Sequence, residues 1–328
     1  MRLRRPALVV SRPVVRAVCV AVSALALLSC QRSSAKRIAV IPKGRAHLFW
    51  QSVHAGAVKA AREKQYEVLW NGPATETDFN GQLQIIDAMI NQHVDAIAVA
   101  PIDKTVMISS VDRATREGIP VIIFDSPVDT PNFVAQVATD NYQAGVTAAE
   151  RMIQILNGKG KIAIVAVEVG AASTMAREKG FEDTIQKRAP GIQIVDKRYG
   201  NADFAQSLSV SENMLTAYPD LNAFFASNES SSVGAAQALK SRKSSVKLVG
   251  FDSSPGLIDD LKAGIIDSLV VQDPFQMGYQ SVMAAARKLA GGTPQKIQNL
   301  PPRLVTRESL SNPEMQKFLN PDLKTYLN

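Results

Sequence analysis

Residues 96–125 read AIAVAPIDKTVMISSVDRATREGIPVIIFD, and this stretch decides the fold. Two apolar runs, 96–100 and 121–124, enclose a longer segment in which apolar residues recur at helical spacing. Gly118 and Pro120 stand between that segment and the second run, where a helix ends and a strand begins. The stretch therefore predicts a strand, a helix and a second strand.

The same pattern continues outward in both directions. The strand candidates are near-continuous apolar runs, which is typical of strands buried on both faces of a parallel sheet. They are residues 38–41, 67–70, 96–100, 121–124, 161–167, 193–197, 223–226, 247–251 and 268–271. Amphipathic segments of helical length lie between them, namely 49–64, 79–92, 105–117, 142–156 and 173–188.

The number of these units indicates two sheets, because they are too many for one open sheet. We predict an α/β fold with two doubly wound parallel-sheet lobes joined by hinge strands. The chain is expected to cross between the lobes near Asp140, Gln272 and Pro302. The expected divisions are a signal peptide (1–29), a tether (30–36), an N-terminal lobe (37–140 plus 274–302), a C-terminal lobe (141–273 plus 303–310) and a tail (311–328).

The N-terminal residues have the features of an export signal. Five arginines precede an uncharged apolar run, 17–28, that is shorter than the roughly 20 residues a membrane-spanning helix needs. The run ends in Leu27-Leu28-Ser29-Cys30, which resembles a bacterial lipobox, so Cys30 is the expected lipidation site. We expect a periplasmic or cell-envelope protein that is lipid-anchored to a membrane. An ordinary signal peptide cleaved elsewhere is the alternative.

Charge and cysteine content exclude several classes of partner. Removing residues 1–29 changes the count from 37 basic and 30 acidic residues to 32 basic and 30 acidic residues. Because the remaining chain is nearly neutral, we expect no nucleic-acid partner. Cys19 leaves with the signal peptide and Cys30 is acylated, which leaves no thiol for a disulfide or a metal site.

Polar residues follow four of the predicted strands, where ligands bind in open α/β sheets. They are Asp125, Asn228, Asp252 and Gln272. Carboxylates accept hydrogen bonds from vicinal hydroxyls, and amides both donate and accept, so the set suits a sugar ring. For each residue alone, a helix N-cap is the alternative interpretation.

Aromatic residues supply the apolar half of carbohydrate recognition, since the C–H face of a sugar packs on an aromatic face. Phe49 and Trp50 stand at the first strand-to-helix turn, and Phe204 opens a later helix. Arg177 lies early in a helix and could reach a cleft with its donors. Core packing for the aromatics and a solvated position for Arg177 are the alternatives.

Several of these pieces occur in the order seen in a known family. The stretches 38–41, 49–50, 121–125, 175–180, 202–204, 215–220 and 249–252, with Gln272, resemble periplasmic ribose-type sugar-binding proteins of ABC importers. The resemblance covers residues 37–305 and implies a monomer that captures a small sugar or polyol for a membrane permease. It places the ring-stacking residues at Phe49, Trp50 and Phe204, and the hydrogen-bonding residues at Asp125, Arg177, Asn228, Asp252 and Gln272.

Two positions depart from the ribose pattern of that family. His47 stands where those proteins have an asparagine, and Ser126 stands where they have an arginine. Both are candidate ligand-binding residues, but losing the arginine removes a bidentate donor and puts ribose itself in doubt.

The sequence lacks the motifs of several common enzyme classes. The first strand-to-helix turn reads PKGRAH over residues 42–47 in place of a dinucleotide-binding glycine pattern, and no phosphate-binding loop, G-x-S-x-G or H-E-x-x-H occurs. His47, His54 and His93 have no partners at metal-binding spacing, so we expect no metal and no cofactor. Signalling to a histidine kinase or chemoreceptor remains the alternative to transport.

Overall fold

The computed structural model describes residues 35–327, and the expected signal peptide and Cys30 lie outside that range. Its strands are β1 (Arg37–Ile41), β2 (Glu67–Trp70), β3 (Ala96–Val99), β4 (Val121–Phe124), β5 (Ala135–Thr139), β6 (Lys159–Ala166), β7 (Gly191–Tyr199), β8 (Ala223–Ala226), β9 (Lys247–Phe251), β10 (Ser268–Val271), β11 (Ile297–Leu300) and β12 (Arg303–Thr306). Its α-helices are α1 (Leu48–Lys64), α2 (Phe79–Asn91), α3 (Ile108–Arg116), α4 (Asn141–Ile155), α5 (Ala172–Arg188), α6 (Phe204–Ala217), α7 (Glu229–Ser241), α8 (Pro255–Ala263), α9 (Pro274–Leu289), α10 (Pro313–Leu319) and α11 (Lys324–Leu327).

These strands form two six-stranded sheets. The first has the order β11-β5-β4-β3-β1-β2, and the second has the order β12-β10-β9-β8-β6-β7. Every pairing is parallel except that of β12 with β10. The predicted α/β fold with two doubly wound sheets is confirmed, and β12 corrects the expectation that both sheets are wholly parallel.

Helices cover both faces of each sheet. In the first lobe, α1 and α9 pack on one face and α2 and α3 on the other. In the second lobe, α4 and α5 pack on one face, and α6, α7 and α8 contribute to the core on the other. Burial on both faces explains why the inner strands β3, β4 and β8 are apolar at every position.

The chain passes between the two sheets at β5 to α4, at β10 to α9 and at β11 to β12. We propose the lobe limits 37–140 with 274–302 and 141–273 with 303–310, because each set of strands shares its own core. A 3₁₀ turn, Glu308–Ser311, leads into the tail, which contains the two helices α10 and α11, and Asn312 caps α10.

In this part of the chain, 35–327, no helix combines the length and the apolar character needed to span a bilayer.

Candidate functional site

Most of the predicted site residues meet between the two lobes. Eight of the ten line a single cavity: His47, Phe49, Trp50, Asp125, Arg177, Asn228, Asp252 and Gln272. The cavity has a volume of about 30 Å³, which is room for roughly two water molecules. A sugar ring is larger, so a ligand can enter this cleft only if the lobes separate.

Asp125 and Asp252 occupy equivalent places in the two lobes, directly after β4 and β9. Both have a left-handed backbone, with φ values of 60° and 66°, and both are almost completely buried. Such conformations are uncommon outside glycine and are held by their surroundings. Burial raises the pKa of Asp252, although the nearby Arg177 guanidinium and a bond from Gln272 favour its ionised form.

Lys43 brings a positive charge into the cleft from the turn after β1. Its Nζ lies 2.8 Å from Asp125 Oδ2, with only 4% of either side chain exposed. The same ammonium donates to Ser173 Oγ of the second lobe at 3.0 Å. An ammonium has three N–H groups, so one donor of this buried cation has no partner among residues 35–327 and is available to a ligand.

His47 joins both lobes through its ring nitrogens. Nδ1 lies 2.7 Å from Glu76 Oε1, and Nε2 lies 3.0 Å from the carbonyl oxygen of Ala202 in the second lobe. Burial alone would lower the pKa of His47, but the carboxylates of Glu76 and Glu229 and the Ala202 carbonyl raise it to about 9. The ring is therefore an imidazolium that donates on both sides, and it offers a ligand only its face.

Glu76 also anchors the aromatic wall of the cleft. Trp50 Nε1 donates to Glu76 Oε1 at 2.7 Å. Burial would raise the pKa of Glu76, but His47, Lys43 and Trp50 together lower it, so the carboxylate stays ionised. The rings of Phe49 and Trp50 pack edge to face, with centroids 4.8 Å apart.

A carboxylate from the second lobe caps the first helix of the first lobe. Glu229 accepts from the backbone N–H of Phe49 at 3.1 Å and from that of Leu48 at 3.3 Å. His47 occupies the N-cap position of α1 but its side chain makes no capping bond there. The free N–H groups at a helix start favour a negative charge, so this contact stabilises the closed arrangement.

The remaining polar side chains are held by neighbours on both sides of the cleft. Arg177 Nε donates to Asn141 Oδ1 at 2.8 Å, and Arg177 Nη1 donates to the Ser227 carbonyl at 3.0 Å. Gln272 Nε2 donates to Asp252 Oδ1 at 2.7 Å and Gln272 Oε1 accepts from Thr139 at 2.8 Å.

Asn228 lines the cavity and also caps α7 by accepting from Ser231 N at 2.9 Å. The helix cap is therefore observed, and the same side chain faces the cavity.

Two predicted residues do not line the cavity. Ser126 Oγ donates to Ser173 Oγ at 2.8 Å, so it links the lobes behind Asp125. Phe204 is 38% exposed, and its ring packs edge to face on His47 with a centroid distance of 5.1 Å. Both stabilise contact between the lobes in the arrangement seen here.

Sequence reasoning missed part of the lining: Lys43, Glu76, Ser173 and Thr174. Glu229, directly after Asn228, lines the cavity as well. Lys43 lies two residues after β1, so the same rule of polar strand ends would have found it, whereas Glu76 lies further along the turn after β2.

The charges of the cleft favour an uncharged ligand. Four carboxylates line it, those of Glu76, Asp125, Glu229 and Asp252, against the three cations Lys43, His47 and Arg177. Within the described range no group of three His, Cys, Asp or Glu side chains could hold a metal ion. The arrangement is suited to reversible hydrogen bonding with a hydroxylated molecule packed against aromatic rings.

Comparisons with known proteins agree with this geometry. A family model described as a periplasmic binding protein domain matches residues 38–293. The ribose import binding protein RbsB of Bacillus subtilis is 28% identical over 260 residues, which are 79% of this chain and 84% of that protein.

Solved structures resemble the whole described fold. A carbohydrate transporter solute-binding protein from Agrobacterium radiobacter, in complex with D-arabinose, has a TM-score of 0.85 and 32% identity, covering 88% of this chain and 100% of that chain. A structure described as the XylFII-LytSN complex has a TM-score of 0.79 and 25% identity, covering 84% of this chain and 99% of that chain.

Proposed function

The chain belongs to the periplasmic binding protein domain family, and from this premise we propose that it captures a small neutral sugar or polyol between its lobes. It performs no chemistry on the ligand and delivers it to the permease of an ABC importer. The similarity to a ribose import binding protein and to a D-arabinose complex supports this ligand class.

The observation that carries the proposal is the convergence of strand-end polar groups from both lobes on one cavity beside two aromatic rings. Asp125 belongs to the first lobe, and Arg177, Asn228 and Asp252 belong to the second. A sugar that bonds to both sets binds the closed form better than the open form. It therefore shifts the population towards closure by that difference in affinity.

Lys43 supplies a donor in this proposal. The arginine that the ribose pattern would place beside Asp125 is replaced by Ser126, and Lys43 holds its ammonium against the same carboxylate at 2.8 Å. The Lys43 N–H group without a partner among the described residues favours a ligand that offers hydroxyl or ring oxygens as acceptors. An acidic sugar would add a negative charge to a cleft that already has an excess of carboxylates.

The test is isothermal titration calorimetry of the purified mature protein with neutral pentoses, hexoses and polyols, and with gluconate and glucose 6-phosphate as charged controls. At least one neutral compound is expected to bind with a dissociation constant in the micromolar range or below. Absence of binding to every neutral compound, or preference for a charged one, contradicts the proposal.

Attachment to a membrane rests on Cys30 as a lipidated N-terminus after cleavage of residues 1–29. A Cys30→Ser variant expressed in a bacterial host is expected to lose labelling by radiolabelled palmitate and to leave the membrane fraction. A Cys19→Ser variant is the matched control and keeps the label. Persistent labelling of Cys30→Ser contradicts the lipoprotein assignment.

Sensing is the second candidate function, favoured by the similarity to a protein solved in the XylFII-LytSN complex. In that case the closed, loaded form contacts a membrane-bound histidine kinase or chemoreceptor. Co-purification of the loaded protein with its permease, but with no sensor, supports transport. Co-purification with a sensor protein, but with no permease, supports sensing.

A further inference from the structure

A second, larger cavity lies beside the cleft and belongs to neither lobe alone. It measures about 540 Å³, within the usual range for small-molecule sites. Its walls are the start of α1, residues 252–262 of the second lobe, residues 271–275 at the crossing, and residues 316–324 of the tail. We call it the side cavity.

The side cavity adjoins the cleft directly. Phe49, Asp252 and Gln272 line both spaces, so the two cavities share part of their walls. The cleft itself holds about 30 Å³ in this closed form, so a sugar ring needs the lobes somewhat further apart. A substituent on a ring packed against Phe49 would then have the side cavity next to it.

The wall of the side cavity is mainly apolar. It is lined by the side chains Leu48, Phe49, Ile258, Phe275, Phe318 and Leu319. Three of the charged side chains around it have partners within the protein. Lys262 lies 3.2 Å from Asp259, and Asp273 accepts from Gln276 N at 3.0 Å. An uncharged occupant fits this wall, because a charged one would lose its hydration without gaining a partner.

The tail closes the side cavity from outside. Met315, Phe318 and Leu319, at α10, pack against the core of the second lobe. On the first lobe, Arg62 Nη1 donates to the Thr325 carbonyl of α11 at 2.8 Å. Because its walls come from both lobes and the tail, the side cavity encloses its occupant only when the lobes are together.

We infer that the physiological ligand is a glycoside or other substituted sugar whose apolar substituent occupies the side cavity while its sugar ring occupies the cleft. This inference rests on the proposed function and extends it from a free sugar to a sugar with an apolar aglycone.

The experiment compares the methyl and phenyl glycosides of D-ribose and D-arabinose by calorimetry on the intact mature protein. For at least one of these sugars the phenyl glycoside is expected to bind at least tenfold more tightly than the methyl glycoside. An Ile258→Trp substitution fills the side cavity from α8. It is expected to abolish that preference while leaving the affinity for the methyl glycoside within twofold of wild type.

Ile194→Trp is the matched control, because Ile194 is 37% exposed on β7 and lies away from both cavities. This variant is expected to keep the tenfold preference. Equal affinity of wild type for the methyl and phenyl glycosides, or a preference that survives Ile258→Trp, overturns the inference while the proposed function stands. If a disaccharide such as maltose binds more tightly than any phenyl glycoside, the side cavity prefers a second sugar ring to an apolar group, and the inference is overturned. If neither the glycosides nor any free neutral sugar or polyol binds, both proposals fail; binding of a free sugar without any glycoside overturns the inference alone.

Discussion

At the scale of single residues, the cleft depends on two aspartates held in a left-handed backbone. Asp125 and Asp252 have φ values of 60° and 66°, which cost of order 1 kcal/mol each in a non-glycine residue. Asp and Asn tolerate this region better than other side chains. Both lobes use the same left-handed conformation at this position in spite of its cost. This indicates that the direction of the carboxylate determines the geometry of these turns more than local stability does.

The first prediction concerns Asp252. Replacing it by alanine removes a ligand acceptor and leaves Gln272 Nε2 without its 2.7 Å partner. We expect sugar affinity to fall by about 2 kcal/mol, the usual scale for losing a buried hydrogen-bonding group. Calorimetry checks this, with Asp220→Ala as the control because that side chain is 64% exposed. Unchanged affinity in Asp252→Ala would remove it from the site.

The second prediction concerns Lys43. A Lys43→Met variant loses the ammonium and leaves the Asp125 carboxylate buried without its ion-pair partner. We expect binding of a neutral sugar to weaken by about 2 kcal/mol and thermal stability to fall. The control is Lys161→Met, which removes a solvent-exposed pair with Asp220 that contributes little. Equal effects of the two variants on binding would contradict a ligand-facing role for Lys43.

The residues of the cleft were only partly predictable. Asp125, Asn228, Asp252 and Gln272 were found because they directly follow apolar strands. Glu76 lies in a longer turn after β2, where nothing in the sequence indicates that its carboxylate faces His47 and Trp50. Such contacts depend on how turns fold back over the sheet, which periodicity does not report.

At the scale of helices, each lobe contains a pair in close backbone contact through glycines. A Cβ added at Gly145 of α4 would lie 1.9 Å from the carbonyl oxygen of Arg177 in α5. A Cβ at Gly56 of α1 would lie 1.9 Å from the carbonyl oxygen of Phe275 in α9. No side chain fits at either position, so these glycines set the separation of the helices.

The third prediction follows from the position of Arg177 in that contact. Gly145→Ala must displace α5, and with it the guanidinium that lines the cleft. We expect the free energy of unfolding to fall by about 1–3 kcal/mol and sugar affinity to decrease. The control is Gly256→Ala in α8, where an added Cβ meets nothing within 4 Å and helix propensity improves. Chemical denaturation and calorimetry measure both effects. A stable, fully active Gly145→Ala would contradict this account.

Most strands buried on both faces were predictable, but the inner strand β5 was not among the predicted ranges. The observed β4, β8 and β10 have the predicted limits, and each is buried at every position. The edge strands β11 and β12 were not predicted, because they are short, partly exposed and contain polar residues. Their structure comes from pairing with β5 and β10, which are remote in sequence.

At the scale of the whole molecule, closure carries an electrostatic cost. Glu168 follows β6 in the second lobe, is 7% exposed, and its Oε1 has no hydrogen-bond partner in the described chain. Burial raises its pKa to about 7; Lys43 acts in the opposite direction, and the Glu76 and Asp103 carboxylates of the first lobe add to the rise. Closing the lobes therefore places a carboxyl group next to like charges.

The fourth prediction is the resulting pH dependence. A raised pKa means that the closed form holds the proton more tightly than an open form in which the carboxyl group has its ordinary value of 4.5. Closure is then favoured below 4.5, and this contribution is lost as the pH rises towards 7. His47 acts in the same direction only through the second-lobe groups Glu229 and the Ala202 carbonyl, which raise its pKa on closure, since its pairing with Glu76 lies within the first lobe. Sugar affinity is expected to fall as the pH rises through this span.

Glu168→Gln tests the contribution of the carboxyl group. Calorimetry is expected to show that the variant binds more tightly than wild type near neutral pH. Its affinity should also decline less steeply between about pH 5 and pH 6.5, where His47 begins to contribute. Affinity that rises with pH in wild type, or an unchanged slope in the variant, would contradict the prediction. Glu182→Gln is the control, since that carboxylate is well exposed and pairs with Lys197 outside the cleft.

The tail sets a geometric limit on how far the two halves can swing apart. Between α10, seated on one half, and α11, seated on the other, the chain has only the residues Asn320, Pro321, Asp322 and Leu323. Four residues fully stretched span about 14 Å. While both helices stay docked, this short linker limits the angle to which the entrance for a solute can open. A wider opening requires one of the two helices to detach.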